Sequence, residues 1–528
     1  MTSITASLVT PQLNLASLAT SLAPAQTATA QAAAVSAPAA IVTLGQATSS
    51  DTQVYSMRGV LTDAEPVSAW ENSTAKDAVT STLSNNFGSV DSASRFKNLG
   101  AALLTQLAKG GGSHYSQSVI NSSKTTAAAQ LASAQKSLHA STDNSISLTL
   151  TTASGKTITL SLASQANGLA VQMDVTGGDL SDTELAAVGK LADGFQSAID
   201  GLTQVPPRLN LDGLSQFDKS VFTSVDLTSQ LQVSDADVQT LSFHADADKQ
   251  SVKASGPSGD VQLTVDTRNA AILGTAQQQA QALNAFLAQF DAAGKRGKGD
   301  ADLINLFKDA FTSLNGPSAT ASTSANSATP LDLNDTEHAM LTGLADFTAS
   351  IKQTDASPNP MRSGETDSFE YTASQKTDVQ GNPLDRSIAQ QQQSHLKASY
   401  HKSLFPGTAL ALGNLNKDQN YYYYQLDDSA SSTASIAYQK GELVDATLKQ
   451  DASQTTKVSK YVMGKLEETT VTPKEVSKSQ SYLQVIEAAV KQDQKAGLGS
   501  EGFRTQAAIA KAHDQVLQAL NPYDNHAR

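Results

Sequence analysis

The first regular pattern in the chain is an alternation of apolar and polar residues that begins at Ser145. Ile146, Leu148 and Leu150 alternate with Ser and Thr, and two more alternating runs follow at 158–162 and 169–175. A period of two predicts half-buried strands. The region is therefore predicted to form a three-stranded antiparallel meander, with a turn at Ser154-Gly155-Lys156.

A helix is predicted directly after this meander. Ser181 and Glu184 form an S-x-x-E capping box, and apolar residues continue at helical spacing to Leu202. The same order, three short alternating runs followed by helices, recurs between residues 241 and 315. Two units of meander plus helix predict an α+β domain over residues 140–315.

The carboxyl-terminal part is predicted to form a second antiparallel sheet with helices at both ends. Asn334 and Glu337 give another capping signal, for a helix that would carry Met340, Leu344, Phe347 and Ile351. Alternation predicts strands at 369–377, 395–404, 421–426, 435–440 and 442–449. The strand at 421–426 would place two of its four tyrosines on each face. Two helices, at 481–494 and 501–520, complete this part.

The amino-terminal part differs in composition. Residues 1–50 contain no Asp, Glu, Lys or Arg and are rich in Ala, Ser, Thr and Gln, which predicts a disordered tail. Apolar residues at helical spacing then predict a helical region over 51–139, with helices near 74–87 and 94–109. Gly110, Gly111 and Gly112 are expected to end the second helix.

These patterns together predict an α+β protein with two antiparallel meander-plus-helix modules, an amino-terminal helical region and a disordered tail. The predicted divisions are a tail at 1–50, a helical region at 51–139 and an α+β domain at 140–315. A Ser/Ala/Thr-rich linker at 316–330 follows. A sheet domain with flanking and carboxyl-terminal helices occupies 331–528.

Composition excludes several classes of function. The 528 residues include no Cys, which excludes disulfide frameworks, Cys-ligated metal centres and thiol nucleophiles. The formal net charge of -13 gives general nucleic-acid binding no electrostatic basis. No apolar run approaches the length of about 18 residues that a transmembrane helix needs. We therefore expect neither a nucleic-acid partner nor a membrane span.

Two glycine motifs resemble nucleotide-binding signatures but lack their context. Residues 497–502 match G-x-G-x-x-G, yet a helix precedes them where the dinucleotide fold needs a strand. We interpret them as a turn between two helices. Gly155-Lys156-Thr157 resembles the end of a phosphate loop, but Leu150 stands where the first Gly is required. We interpret this segment as a hairpin turn.

Charged clusters also favour structural interpretations. Asp174, Asp179, Asp182 and Glu184 do not have calcium-loop spacing, and Asp182 suits a helix N-terminus. His244, Asp246 and Asp248 suggest a polar strand face more than a metal site. His395 and His401 would share a strand face about 20 Å apart, too far for one metal ion. Lys295, Arg296 and Lys298 are expected in a solvated loop. No catalytic, cofactor-binding or metal-ligating residue is assigned, and no cofactor is expected.

Two resemblances bear on function. The uncharged residues 1–50 resemble the uncleaved amino-terminal export signals of flagellar and type III secreted bacterial proteins. Residues 140–520 resemble a group of uncharacterised proteobacterial proteins, through the strands around Ser154-Gly155-Lys156, the segment 178–185 and the strand at 421–426. This second resemblance implies architecture and no activity.

The leading hypothesis is a non-enzymatic bacterial protein that is exported without a cleaved signal or is associated with the envelope, with a protein as its unknown partner. The alternatives are a cytoplasmic binding or assembly protein and an enzyme of unrecognised type. A cleft that gathers titratable groups would favour the enzyme. Exposed apolar or Tyr patches on the 369–449 sheet would favour the assembly protein.

Overall fold

Fifteen strands form one antiparallel sheet in the computed structural model, which describes residues 67–122, 126–140, 142–316, 332–498 and 502–518. The strands lie in the order β1-β2-β5-β4-β3, followed by β6 to β15 in sequence order. Their bounds are β1 Val67–Trp70, β2 His114–Ser122, β3 Asn144–Thr152, β4 Thr157–Gln165, β5 Gly168–Thr176, β6 Phe222–Gln232, β7 Val238–Asp246, β8 Lys249–Gly256, β9 Gly259–Asp266, β10 Asp346–Gln353, β11 Ser368–Gln380, β12 Ser387–Ser403, β13 Tyr421–Gln439, β14 Glu442–Val462 and β15 Lys465–Ser481.

The helices lie between the strands and at the carboxyl-terminal end of the described chain. Their bounds are α1 Ala78–Asn86, α2 Ser92–Phe96, α3 Leu99–Gly110, α4 Ala128–Ala140, α5 Asp182–Lys190, α6 Ala192–Leu202, α7 Asp212–Ser215, α8 Ala276–Gly297, α9 Ala301–Asn315, α10 Asp335–Ala339, α11 Leu483–Lys495 and α12 Phe503–Val516. Capping boxes begin α5 at Ser181 and α10 at Asn334, as predicted.

One face of the sheet is apolar and carries most of the helices. Ile146, Leu148 and Leu150 of β3 are fully buried on this face, as the alternation predicts. They belong to one large core that also contains the apolar residues of α1, α3, α5, α6, α8 and α9. Phe290 of α8 is buried in this core, with its ring 4.8 Å from that of Phe307 and 5.0 Å from that of Phe311.

Three smaller cores complete the packing in the described residues, and the smallest consists of Tyr421, Tyr423 and Tyr461 of β13 and β14. On the same apolar face, α10, α11 and α12 cover Ile388 of β12, Ile436 of β13 and Leu448 of β14. On the opposite face, α4 places Leu138 against Ile120, Ala163 and Ala170 of β2, β4 and β5. Most of the opposite face is therefore left without a helix over it in the described part of the chain.

The α+β class is confirmed, with the sheet as its dominant part. Strands of both predicted modules belong to the same sheet, because β9 pairs with β10 through Val261 opposite Ile351. The predicted hairpin turn at 439–442 is confirmed, with Lys440 at φ 52° and Gly441 at φ 81°. The predicted tail at 1–50 and nearly all of the predicted linker at 316–330 lie outside the described residues.

The predicted helix that would carry Met340, Leu344, Phe347 and Ile351 is wrong. The helix ends at Ala339, and Phe347 and Ile351 lie on β10. Residues four apart share a face in a helix and also in a strand, so this spacing did not separate the two. Gly343 has φ 84°, and this backbone turn separates α10 from β10.

Four strands besides β10 were missed. β1 and β2 lie within the region predicted as helical, and β6 precedes the second predicted meander. β15 is exposed over most of both faces, so it carries no apolar alternation to predict it. In addition, the segments 421–426 and 435–440 belong to one long strand, β13, because the Ser/Ala-rich residues between them continue the pairing.

Candidate functional site

A polar track, two adjacent rows of side chains, crosses the face of the sheet opposite the main core, from β2 to β15. On this face α4 covers part of β2, β4 and β5, and His139 Nε2 of α4 lies 3.3 Å from Ser116 Oγ of the track. Residues of each row are paired from strand to strand in the observed register. The first row is Ser116, Gln172, Ser161, Ser147, Thr228, Ser242, Lys253, Gln262, Ser350, Thr372, His395, Ser429, Ser453 and Glu475. The second row is His114, Asp174, Thr159, Thr149, Asp226, His244, Ser251, Thr264, Thr348, Ser374, Gln393, Ser431, Asp451 and Ser477.

No position of the polar track is apolar, and most are Ser, Thr or Gln. Neighbouring strands lie about 4.8 Å apart, so fourteen strands make a track about 60 Å long. The two rows are about 7 Å apart, because they are two residues apart along each strand. Most of these strands alternate so strictly because their other face packs into the core, whereas β15 is exposed over most of both faces. The track is therefore a long hydrogen-bonding surface that runs perpendicular to the strands.

The carboxyl-terminal end of the track borders a cavity of about 880 Å³ on β10 to β15. Its lining includes both track rows on β11 to β15, such as Thr372 and Ser374 of β11 or Ser429 and Ser431 of β13, and Thr348 of β10. Ala373 and Ala430 between them point to the apolar face, so we assign their backbone to the cavity floor. Small hydroxyl side chains leave this part of the surface open.

A row of alternating charge lies beside the cavity. Lys352, Glu370, Lys397 and Asp427 are paired in register on β10 to β13. His395 of the track connects to this row, with its Nε2 2.8 Å from Asp427 Oδ1. The charges of this row are balanced from one strand to the next, so the border favours a ligand that is polar without a large net charge.

His244 is a titratable group of the track that lies between two carboxylates. Its Nδ1 is 2.6 Å from Asp226 Oδ1, and its Nε2 is 2.9 Å from Asp246 Oδ2. Burial opposes the charged ring, but hydrogen bonds to Asp226 and Asp246 outweigh burial and raise the pKa of His244. The pKa of Asp246 is lowered, because its bonds to His244 and to two backbone N–H groups outweigh burial.

The titratable groups of the cavity do not converge on one point. His395, Asp451 and Glu475 lie on β12, β14 and β15, so strand spacing alone separates His395 from Glu475 by about 14 Å. Acid–base or nucleophilic catalysis needs its groups within hydrogen-bond reach of one reacting atom. Among the described residues, no group of three or more His, Asp and Glu side chains is arranged to hold a metal ion.

Titratable groups do gather at the end of β12, but they bond to one another. The His401 side chain is fully buried, with Nδ1 2.6 Å from Asp367 Oδ1 and Nε2 3.3 Å from Glu365 Oε2. Tyr421 donates a hydrogen bond of 2.7 Å to Glu365, and burial together with this bond raises the pKa of Tyr421. Tyr423 also contacts His401, at 4.7 Å between rings. This cluster fastens the loop before β11 onto the sheet, and none of its members lines the cavity.

The predicted turn at Gly155-Lys156-Thr157 is confirmed, and its lysine has a structural partner. Lys156 Nζ lies 2.8 Å from Glu184 Oε2, and Ser154 Oγ donates to the same carboxylate. Burial opposes ionisation of Glu184, but hydrogen bonds from Lys156, Ser154 and Ser181 hold its pKa well below the usual range. The pair connects the β3–β4 turn to the start of α5.

The predicted solvated loop at Lys295, Arg296 and Lys298 is wrong, because the first two residues form the last turn of α8. Arg296 Nη2 donates to Asp428 Oδ1 at 2.9 Å and to Thr456 Oγ1 at 3.1 Å. A capped helix end above the sheet therefore accounts for this basic cluster. A loop was predicted because glycines surround this basic cluster in the sequence.

The remaining candidates are separated by the fold. Asp174 pairs with His114 at 2.7 Å, whereas Asp182 and Glu184 lie in the first turn of α5. His395 and His401 share a face of β12, as predicted, and contact different carboxylates. The motif at 497–502 lies between α11 and α12, as predicted, although residues 499–501 lie outside the described part.

The polar track itself was not predicted, because its register depends on pairings far apart in sequence. The available signal was the recurrence of Ser, Thr and Gln at alternate positions of each predicted strand. No helix in the described residues has the length and apolar character needed to cross a membrane. Comparisons of the chain with protein-family models, curated proteins and solved structures find no match.

Proposed function

We propose that this chain is a non-enzymatic binding protein that holds an extended, hydrogen-bonding polymer along the polar track, and that it is exported or envelope-associated. The observation that carries the proposal is the track: two rows of fourteen polar side chains with no apolar position. A long surface of this kind offers donors and acceptors at regular intervals of about 4.8 Å.

The chemistry of the track favours a polymer with its own dense donors and acceptors. Ser and Thr hydroxyls both donate and accept, and Gln amides do the same through separate atoms. Neither row contains a Phe, Trp or Tyr residue, although these residues make up 5% of the chain. The class that fits is a neutral polysaccharide or an unstructured polar polypeptide, recognised by hydrogen bonds and by water bridges.

The distance of about 14 Å between His395 and Glu475 supports binding over catalysis that would use His395 together with the carboxylates of β14 and β15. A cytoplasmic assembly protein would use the same track, and only the location differs. The composition of residues 1–50 resembles that of uncleaved export signals, and this resemblance supports export over a cytoplasmic location.

Affinity for polymers of graded length tests the proposal. We would titrate the protein with soluble glucan fragments and with Ser/Gln-rich polypeptides, and follow heat or fluorescence. A track of about 60 Å predicts affinity that rises with chain length until the polymer spans it. Ser429→Trp would place an indole in the cavity, across both track rows, and should weaken binding at least tenfold.

Gln425→Trp is the matched control, because Gln425 is an exposed residue of the same face of β13, outside the track. It should leave affinity unchanged. Equal effects of the two substitutions, or an affinity independent of polymer length, would contradict the track as the binding site. Absence of binding by either polymer class would contradict the proposed ligand chemistry.

A further inference from the structure

We propose that acid releases the carboxyl-terminal helix pair, α11 and α12, from the sheet, and that His338 of α10 and His513 of α12 trigger the release. The helix pair covers Ile388, Ile436 and Leu448 on the apolar face of the sheet. Its release would expose this apolar surface in acidic surroundings, and its return at neutral pH would cover the surface again. The inference does not rest on the polar track, which lies on the opposite face.

His513 is buried under the helix pair without a hydrogen-bond partner. The residue is 4% exposed, and neither of its ring nitrogens bonds to a group in the described part of the chain. Burial disfavours the charged ring and lowers the pKa of His513. The carbonyl oxygens of Leu341 and Ala339 and the carboxylate of Asp514 oppose this shift without cancelling it. The ring therefore takes up a proton more easily when α12 has left the core.

His338 of α10 is a second histidine of the same kind. Its Nδ1 has no hydrogen-bond partner among the residues that the structure describes, and burial lowers its pKa. The carboxylates of Asp335, Glu337 and Asp332 oppose the shift. Asp335 also accepts a hydrogen bond of 3.2 Å from Gln506 of α12, so His338 lies close to the contact between α10 and the helix pair.

A buried carboxylate fastens α11 to α12, so that the helix pair can leave the sheet as a unit. Asp493 of α11 accepts hydrogen bonds from the backbone and the side chain of Thr505, at 2.7 and 2.9 Å, and from Arg504 at 3.0 Å. The hydrogen bonds that join side chains of α12 to α10 and β15 are longer. They involve the neutral side chains of Gln506 and Gln515 and measure 3.2 and 3.5 Å.

The core under the helix pair contains further polar atoms without partners. The Tyr482 hydroxyl and the Arg386 Nε are buried, and neither makes a hydrogen bond within the described residues. A buried polar atom without a partner lowers the stability of the arrangement that buries it. Opening of the core would hydrate these atoms together with the ring of His513. The closed arrangement is therefore poorly placed to bear the burial of a charge as well.

Other titratable groups surround this core. They are Asp332, Asp335, Glu337, Arg386, Tyr438, Lys478, Tyr482, Asp493 and Asp514. Burial opposes the charge of Asp493, but hydrogen bonds from Thr505 and Arg504 outweigh burial and lower its pKa. Asp493 therefore stays charged, and keeps α11 joined to α12, over the pH range in which histidines titrate.

The direction of the two shifts determines the effect of acid. A histidine pKa that is lower in the closed core than the ordinary value of about 6.5 means that the closed core is fully favoured above that pH. This advantage is lost as the pH falls from about 6.5 towards the pKa of the closed state. Each histidine can raise the equilibrium constant for opening by up to about tenfold per pH unit.

Hydrogen exchange of the full chain tests the proposal. We would measure it by mass spectrometry at about pH 7.5 and about pH 5.5, on either side of the lower half of the ordinary histidine range, and correct for the intrinsic exchange rates. The protection of peptides from α11 and α12 should fall at least tenfold at the lower pH. The protection of β3, β4 and β5 in the main core should not change. Binding of a hydrophobic dye should rise at the same pH.

His338→Gln and His513→Gln stay neutral at both pH values. Each should remove part of the acid-dependent loss of protection, and the double variant should remove it. His114→Gln is the matched control, because the His114 side chain is 59% exposed and lies on β2, outside this core. Its response to acid should equal that of the unmodified chain.

Three results would overturn the proposal. An equal loss of protection in β3, β4 and β5 would indicate general unfolding in acid. Unchanged or increased protection of α11 and α12 would mean that the carbonyl oxygens of Leu341 and Ala339 hold the charged ring of His513 in place. A loss that persisted in the double variant, or in both single variants at full size if the double variant does not fold, would assign the response to other groups.

Discussion

Arg386 and Glu337 form an ion pair that is almost completely removed from solvent. Arg386 Nη1 lies 2.9 Å from Glu337 Oε2, and the two side chains are 4% and 1% exposed. The same Nη1 donates to the carbonyl oxygen of Asp332 at 2.7 Å. Arg386 precedes β12 and Glu337 lies in α10, so the pair fastens this short helix to the sheet. A buried pair of this kind makes the second core sensitive to the loss of either partner.

Glu337→Ala should destabilise the chain by about 3–5 kcal/mol, because it leaves the guanidinium of Arg386 buried without its counter-charge. Urea unfolding, followed by fluorescence and circular dichroism, measures the change. Glu337→Gln removes the negative charge but can keep the capping box, because Gln also completes this motif. Its loss of unfolding free energy should therefore be smaller than that of Glu337→Ala.

Glu487→Ala is the control for this ion pair. Glu487 pairs with Lys491 at 3.3 Å on the exposed face of α11, and its loss should cost less than about 1 kcal/mol. If Glu337→Ala were as mild as Glu487→Ala, the buried pair would not be important for the docking of α10.

Export is tested by comparing the amount of the chain in the culture supernatant with the amount in the cells. In a bacterium with a flagellar or type III apparatus, we expect the full chain in the culture supernatant and the chain without residues 1–50 in the cells. The reason is that the uncharged composition of this segment resembles the uncleaved signals that such systems accept. Immunoblots of both fractions measure the outcome, with a cytoplasmic enzyme as the marker for lysis. Retention of both forms in the cells would favour the cytoplasmic alternative.

Local patterns predicted most of the strands whose burial alternates, although β6 and β10 alternate and were not predicted as strands. β3, β4 and β5 were predicted because one face of each packs into the core. β15 was missed because its side chains are exposed on most of both faces. Phe347 and Ile351 were misplaced on a helix because a separation of four residues fits both periods.

The polar track lay beyond sequence reasoning for a different reason. Thr149 is paired with Asp226 on β6, and Thr159 is paired with Asp174 on β5. Alternation fixes which face a residue occupies, but only strand order and register fix its neighbours in a row. His244 illustrates the limit: the sequence places Asp246 two residues away on the same face, whereas Asp226 comes from the adjacent strand.

His244 should titrate above the ordinary histidine value of about 6.5, because Asp226 and Asp246 both accept hydrogen bonds from its ring. His338 should titrate below that value, because burial disfavours its charged form. Selective labelling of histidine and an NMR pH titration measure both midpoints in one sample. Asp226→Asn should lower the midpoint of His244 and leave that of His338 unchanged.

The same shift determines how stability depends on pH. A raised pKa in the folded state means that the stabilisation by His244 is fully present below its unfolded pKa of about 6.5 and is lost as the pH rises through the folded pKa. The difference in unfolding free energy between the unmodified chain and His244→Gln should therefore be largest below about pH 6.5 and shrink as the pH rises through the folded pKa of His244. A difference that grew with rising pH would mean that the ring is held neutral between Asp226 and Asp246.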